Sequence, residues 1–380
     1  MTGEAVLIAA FSGRALAQSA RRAGYVPLVA DAFGDIDTKS AAHRVCVVDD
    51  AMRSGFRAKP LITALDELAA NAPTKPIGLV LGSGLEDKLR LVQILNERYR
   101  LLGCTTEAMR HCKDPQIFFA VLDEFNIAHP ETRIRPPDDC REWISKRIGG
   151  SGGRHIRNCT ADTRAKPRRY FQKRISGERI SVSALIAHDG IATSFSRQWT
   201  SPSVQQPFRY GGAVSLPENE TPAAQEMLAG VDKLTRAFDL RGLASFDFLV
   251  DAGRTYLLEI NPRPGATHDV FDDAEGSLFK AHIEASLGQP LDRRGGNLSA
   301  ARAAAILHAD RGPLTLGKYN WPDWSADRGD AGTVVPEGAP LATVFADAHT
   351  PDAAVALART RLATLESLLY ENPRKLTRTE

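Results

Sequence analysis

Residues 255–269, TYLLEINPRPGATHD, constrain this chain more than any other stretch: a hydrophobic strand closes on a carboxylate, an amide and an arginine held between two prolines. Strand side chains alternate between faces, so Glu259 and Asn261 share one side and Ile260 takes the other. Upstream, residues 245–250 (SFDFLV) read as a partner strand, and 251–254 (DAGR) as a hairpin turn in which Gly253 supplies a positive φ. Pairing the two strands can put Asp247 beside Glu259. Asp247, Glu259 and Asn261 would then converge as hard oxygen ligands of the kind that suits Mg²⁺ bound with substrate phosphates. The wet face of an ordinary antiparallel hairpin would carry the same carboxylates. Arg263 weighs against that plainer reading, because Pro262 and Pro264 stiffen its segment, and a stiffly held guanidinium beside a metal suits a transferring phosphoryl group.

At 380 residues the chain is long enough for two or three domains, and 43% hydrophobic with 25% charged residues is the composition of a globular protein rather than a disordered or membrane one. A formal net charge of +2 gives no global reason to expect nucleic acid. The basic cluster Arg164, Lys166, Arg168 and Arg169 has little aromatic interleaving beyond Tyr170 and Phe171, so it reads as a solvated or phosphate-facing stretch. The five cysteines include no C-x-x-C pair and the nine histidines no H-E-x-x-H, so neither a disulfide framework nor a zinc site is indicated. The start of the chain reads as a first strand rather than a signal peptide, no run approaches transmembrane length, and a cytoplasmic setting is expected. A symmetric homodimer is the base-rate expectation for a protein of this size.

The opening is β-α-β: a buried-type strand over 5–10, an amphipathic helix over 14–23, and a strand over 25–30 that closes on Asp31. Apolar runs at 45–48 and 77–81 extend the pattern, so the first 105 residues look doubly wound. The turn after the first strand lacks the G-x-G-x-x-G spacing, which argues against a dinucleotide cofactor. Strand candidates at 303–307 and 341–345 and a helix over 352–370 mark a separate C-terminal part.

Between these lies a nucleotide-like constellation. In WISKRIGGSGGRHI (143–156), Lys146 ends a strand candidate and Gly149, Gly150, Ser151, Gly152 and Gly153 follow, a loop whose backbone N–H groups can approach phosphate oxygens. A flexible surface hairpin is the alternative, and this is not a Walker loop because the lysine precedes the glycines. Residues 169–185 give two strand candidates joined across Ser176-Gly177, with backbone around Lys173 to Ile175 open to an adenine and Glu178 suited to ribose hydroxyls. Lys113, at the start of a helix, can reach the same phosphates. Arg209, Tyr210, Gly211 and Gly212, and His268 with Asp269 past the metal strand, are candidates for substrate contacts, with turn or packing roles as the plainer readings.

The order Lys113, Lys146 with the glycine loop, Gln172 to Glu178, then Asp247, Glu259 and Asn261 with Arg263 resembles the ATP-grasp superfamily over residues 106–285. That resemblance implies an α/β ATP-grasp fold: an N-terminal doubly wound domain (1–105), a core (106–298) with a lid at about 130–185, and a small C-terminal β-rich domain (299–380). It implies ATP and Mg²⁺ as cofactors. Lys113 and Lys146 would bind phosphates, Gly149 to Gly153 would close over them, Gln172, Lys173, Ile175 and Glu178 would form the adenine and ribose hinge, Asp247, Glu259 and Asn261 would hold metal, and Arg263 with Lys146 would act in catalysis. Arg147 and Lys173 depart from the usual proline and glutamate, but hinge contacts run largely through backbone. The implied activity is a carbon–nitrogen ligase acting through an acyl phosphate, with a small-molecule carboxylate and amine as partners and no nucleic acid or membrane partner. FSGRALAQSARRAGY, RYGGAV, WPDW and GTVVPEGAPL are similar to ATP-grasp proteins of one-carbon carrier biosynthesis, tyramine-L-glutamate ligase of the methanofuran pathway among them. A bicarbonate-using carboxylase and a non-catalytic nucleotide-binding module stay open as alternatives.

Overall fold

A computed structural model describes residues 3–221, 223–291 and 300–371. The expected boundary at 298/299 and the two chain ends lie outside them. Strand β1 (Ala5–Ala10) is buried along its whole length, as a central strand covered on both faces must be. It pairs in parallel with β2 (Val26–Asp31) and β4 (Leu79–Leu81), and β3 (Arg44–Val47) and β5 (Leu101–Leu102) complete a sheet of order β3-β2-β1-β4-β5. Leu7 faces Leu61, Leu65 and Leu68 of the helix Ala58–Ala70. Val6 and Ile8 face helix α1 (Arg14–Arg22) on the other side, and there Phe279 and Ile283 of the helix Ser277–Ser286 complete the cover. A helix from far along the chain thus belongs to the core of the first sheet.

A second sheet is four-stranded and antiparallel, of order β6-β9-β7-β8, made of β6 (Thr132–Arg133), β7 (Trp143–Arg147), β8 (Arg157–Asn158) and β9 (Arg169–Lys173). The chain then crosses through Arg174–Gly177 into β10 (Glu178–Ala187), which lies in a different sheet. The two strands read on either side of Ser176-Gly177 therefore belong to different sheets, joined by that crossing. With β11 (Gly190–Thr200), β12 (Tyr210–Leu216), β13 (Gly242–Asp251) and β14 (Arg254–Asn261), β10 forms the core part of an eight-stranded sheet.

The C-terminal strands extend that same sheet. β15 (Ala301–His308) pairs with β12, β19 (Pro340–Ala348) with β15, and β17 (Ser325–Ala326) with β19, giving β14-β13-β10-β11-β12-β15-β19-β17. The short pair β16 (Leu314–Thr315) and β18 (Val334–Val335) stands apart, and the helix Pro351–Glu371 packs Ala354, Ala358 and Leu365 on this half. On the core half, the helices Pro115–Glu124 and Ala224–Ala237 bury Phe118, Leu122, Met227 and Leu234 against Val182, Phe246, Phe248 and Ile260. That face is apolar, and period-2 alternation sends the polar residues of β10, β13 and β14 to the other.

Gly212 shows how tightly β12 and β15 are joined. A Cβ there would lie 2.5 Å from the Ala304 carbonyl oxygen and 2.4 Å from the Trp199 ring. Gly212→Ala is therefore expected to cost about 1–3 kcal/mol through overpacking, read as a lower urea midpoint. An unchanged midpoint would contradict this packing.

Candidate active site

The hairpin β13–β14 turns through Ala252 and Gly253, both at positive φ (48° and 80°), the geometry that two-residue hairpin turns demand. From the turn, Asp251 pairs with Arg254 and Phe248 with Leu257. Counting on in that register would set Asp247 opposite Leu258 and point Glu259 into the core. Instead the register shifts at a bulge beside Phe248, and Asp247 pairs with Glu259. Leu257 and Ile260 stay in the core, while Leu258, Glu259 and Asn261 open onto a cavity of about 460 Å³.

Asn261 ties the cluster together. Its Nδ2 donates to Asp247 Oδ2 (3.1 Å) and Glu259 Oε1 (3.4 Å), and its Oδ1 accepts from Lys113 Nζ (2.8 Å). Ser181 Oγ (2.6 Å) and Gln198 Nε2 (3.3 Å) donate to Asp247 Oδ1. Burial, then the charge on Glu259, pushes the Asp247 carboxyl up. Burial acts the same way on Glu259, but Lys113 and Lys146 outweigh it and hold that carboxyl well below the usual range. Lys146 is buried, donates to Gln172 Oε1 (3.3 Å) and stands 5.9 Å above the Tyr170 ring. Burial lowers its pKa, yet Tyr170 and Glu259 together raise it, so the ammonium persists.

The glycine loop is docked. Tyr210 N donates to Gly152 O (3.0 Å), and a Cβ on Gly153, at φ 72°, would lie 1.8 Å from the Phe208 carbonyl oxygen. At its other end, Gly149 lies so close to the Glu86–Asp87 backbone that a Cβ would come within 2.7 Å. Arg168 donates to the Asp87 carbonyl oxygen.

Of the residues singled out from the sequence, Lys146, Ser151, Gly152, Gly153, Arg209, Tyr210, Asp247, Glu259, Asn261, Arg263 and His268 line this one cavity. Lys113 reaches the cluster from behind, through Asn261, and also lines a second recess with Asp114 and Gln116. Gly150 packs on the lining residue His155 and Gln172 accepts from Lys146, while Gly149, Lys173, Ile175 and Glu178 lie outside the lining. Three of the substrate candidates are tied into the surrounding structure. Arg209 is fully buried on Asp310 (2.6 Å) and Ser201 O (2.8 Å), and Gly211 and Gly212 are enclosed strand residues against Trp199.

Arg263 also has a partner that the sequence did not reveal. Its Nε donates to Glu86 Oε1 (2.7 Å), and Glu86 in turn accepts from the backbone of Gly84 (2.7 Å) and Leu85 (3.0 Å). Glu86 lies past the carboxyl end of β4, where ligand sites of doubly wound sheets gather, and that position was its only signal. Arg179 and Ser181 were missed as well, though they alternate along β10 onto the Asp247 side. Arg179 lines the cavity; burial lowers its pKa, against the pull of Asp247 and Glu259.

Residues 112–267 match the ATP-grasp domain family. The carbamoyl phosphate synthase large chain of Thermoanaerobacter pseudethanolicus is 24% identical over 263 residues, a match that takes in 62% of this chain and 24% of that protein. The chain thus spans about a quarter of the length of the curated relatives it matches. Among solved structures, a biotin carboxylase–ATP complex from Campylobacter jejuni superposes with a TM-score of 0.72 at 16% identity, covering 97% of each chain. An L-amino acid ligase from Bacillus licheniformis gives 0.69 at 12% identity, covering 96% of this chain and 98% of that one. The chain has the ATP-grasp fold, and ATP-grasp enzymes use ATP with Mg²⁺.

Removing Glu86 would leave the Arg263 guanidinium buried without its carboxylate. Glu86→Ala is expected to destabilise the protein by about 3–5 kcal/mol, and adding Arg263→Leu to recover part of that loss in denaturant melts. Strictly additive losses would contradict the coupling.

Proposed function

We propose that this chain is an ATP- and Mg²⁺-dependent ligase that joins a carboxylate to an amine through an acyl phosphate. The observation that carries the reading is a single cavity in which Asp247, Glu259 and Asn261 share a lining with Lys146 and the docked loop Ser151–Gly153. Two carboxylates side by side with an amide, on a buried face where they oppose each other's ionisation, are a donor set that fits a small hard cation. Asp247, Glu259 and Asn261 would hold Mg²⁺, which when bound offsets phosphate charge and polarises the transferred group.

The chain's own residues do the rest. Lys113 and Lys146 bind nucleotide phosphates, the loop Gly149–Gly153 covers them, and Gln172, Lys173, Ile175 and Glu178 place adenine and ribose at the hinge. An oxygen of the substrate carboxylate attacks the γ-phosphorus of ATP; an O–P bond forms and the bond to ADP breaks. The amine nitrogen then attacks the acyl carbon, a C–N bond forms, the C–O bond to phosphate breaks, and the surplus protons pass to the departing phosphate and to solvent. Arg263 steadies the acyl phosphate and the oxyanion that follows. Loop cover keeps water from the intermediate.

Within that class we infer glutamate as the acid and an aromatic amine or amino acid, tyramine or tyrosine, as the acceptor, in one-carbon carrier assembly of the methanofuran kind. The segments RYGGAV, WPDW and GTVVPEGAPL, which resemble ATP-grasp proteins of such pathways, support it. The fold shared with a biotin carboxylase favours a second reading in which bicarbonate is the acid.

The test is ADP release by purified protein with Mg²⁺, ATP and L-glutamate, with and without tyramine or tyrosine. The expected result is amine-dependent ADP release that falls on the order of a hundredfold in Glu259→Ala. Bicarbonate-dependent release without an amine would transfer the reading to a carboxylase, and ATP binding with no ADP from any acid would leave a nucleotide-binding module.

A further inference from the structure

Beyond Asn261 the cavity runs on to a junction of three parts of the chain: the loops after β1 and β2, the segment Thr267–Asp269, and the C-terminal half-sheet. Arg14 is buried there between two carboxylates. Its Nη2 donates to Asp269 Oδ2 (2.7 Å) and Asp327 Oδ2 (3.0 Å), and its Nε to Asp327 Oδ1 (3.0 Å). Ser12 Oγ (3.1 Å) and Thr343 Oγ1 (2.6 Å) add donors to Asp327. A third carboxylate, Asp35, lines the same end and caps the helix Ile36–Ala41, accepting from Thr38 N (2.8 Å) and Thr38 Oγ1 (2.6 Å) with a lone pair left on each oxygen. Three carboxylates against one guanidinium leave negative charge uncompensated; burial, then Asp327, pushes the Asp35 carboxyl up. Asp330, which also lines the cavity, has its own partner in Lys39.

Two further features point to a ligand. The His268 side chain is 2% exposed and lines this end, yet among the described residues neither ring nitrogen has a hydrogen-bond partner, and the Asp272 carboxylate is 3.8 Å away. A buried polar group without a partner is costly unless something else satisfies it. Phe33, two residues before Asp35 in the chain, keeps 39% of its surface exposed at the cavity wall, with Phe11 also in the lining. A buried, net negative end with the unpartnered His268 ring and an open aromatic wall matches a primary ammonium that carries an aromatic group.

We propose that Asp35, Asp269, Asp327 and His268 form the binding site for the ammonium group of the amine substrate, with Phe33 against its aromatic portion. This rests on the ligase reading, and it gives the amine a carboxylate-lined pocket of its own beside the cluster of Asp247, Glu259 and Asn261. Arg14 is the positioning residue that holds two of the carboxylates in place.

Two measurements test it. Calorimetric titration compares tyramine with tyrosol, the alcohol of the same shape: wild-type protein should favour the ammonium by about tenfold or more, and Asp35→Asn and His268→Gln should erase most of that preference. Equal affinity for the two probes would overturn the proposal without touching the ligase reading. In the second, hydroxylamine, which needs no aromatic or ammonium recognition, captures the acyl phosphate as a hydroxamate. The ratio of tyramine-dependent to hydroxylamine-dependent turnover should fall about tenfold in Phe33→Ala and Asp35→Asn, mainly through the amine KM. An unchanged ratio in both variants would overturn the site, whereas absence of hydroxamate from wild-type protein with every acid would overturn the ligase reading beneath it.

Discussion

Two carboxylates held side by side on adjacent strands of a buried face repel each other, and much of this molecule is arranged to make that tolerable. Asp247 and Glu259 face each other only because a bulge at Leu258 breaks the register set by the hairpin turn. Asn261 bridges them, Ser181 and Gln198 donate to one, and the ammonium groups of Lys113 and Lys146 hold the other ionised. Those supports come from a helix end, from the four-stranded sheet, and from two neighbouring strands. The pair therefore dictates where the four-stranded and eight-stranded sheets must meet.

Other interdomain ties follow the same logic of buried charge with a committed partner. Glu86, anchored on its own backbone loop, carries Arg263 across to the first sheet, and the same loop packs against Gly149 at the start of the glycine loop. Arg14 joins the first sheet to the core through Asp269 and to the C-terminal half through Asp327. Ion pairs of this kind contribute little net stability when formed but cost much when halved. Their value here is register: they fix three parts of the chain around one cavity.

Much of this was legible in the residues. Alternation in SFDFLV and YLLEIN marked two strands, and DAGR marked the turn, because period-2 burial and positive-φ turns leave direct traces in sequence. The bulge left none, since Leu257 and Leu258 are chemically alike and either could face the core. The lysine and glycine loop of residues 146–153 stood out in the sequence, and the cavity gathers Lys146, Ser151, Gly152 and Gly153. Partners distant in the chain were not: Glu86 lies 177 residues from Arg263, and Asp310 lies 101 from Arg209. An arginine beside two glycines looks free until its carboxylate is placed. The C-terminal strands read as a separate domain because no local signal says that β15 hydrogen-bonds to β12.

The central claim is that Asp247, Glu259 and Asn261, backed by Lys113 and Lys146, form a metal-dependent nucleotide site. The most direct measurement is calorimetric titration with a non-hydrolysable ATP analogue, with Mg²⁺ and then with EDTA, on wild-type protein and on Glu259→Ala. The account predicts binding that weakens strongly without Mg²⁺ in the wild type, and a variant in which Mg²⁺ adds little. Equal affinity in all four titrations, or no binding by a fully folded wild type, would contradict it.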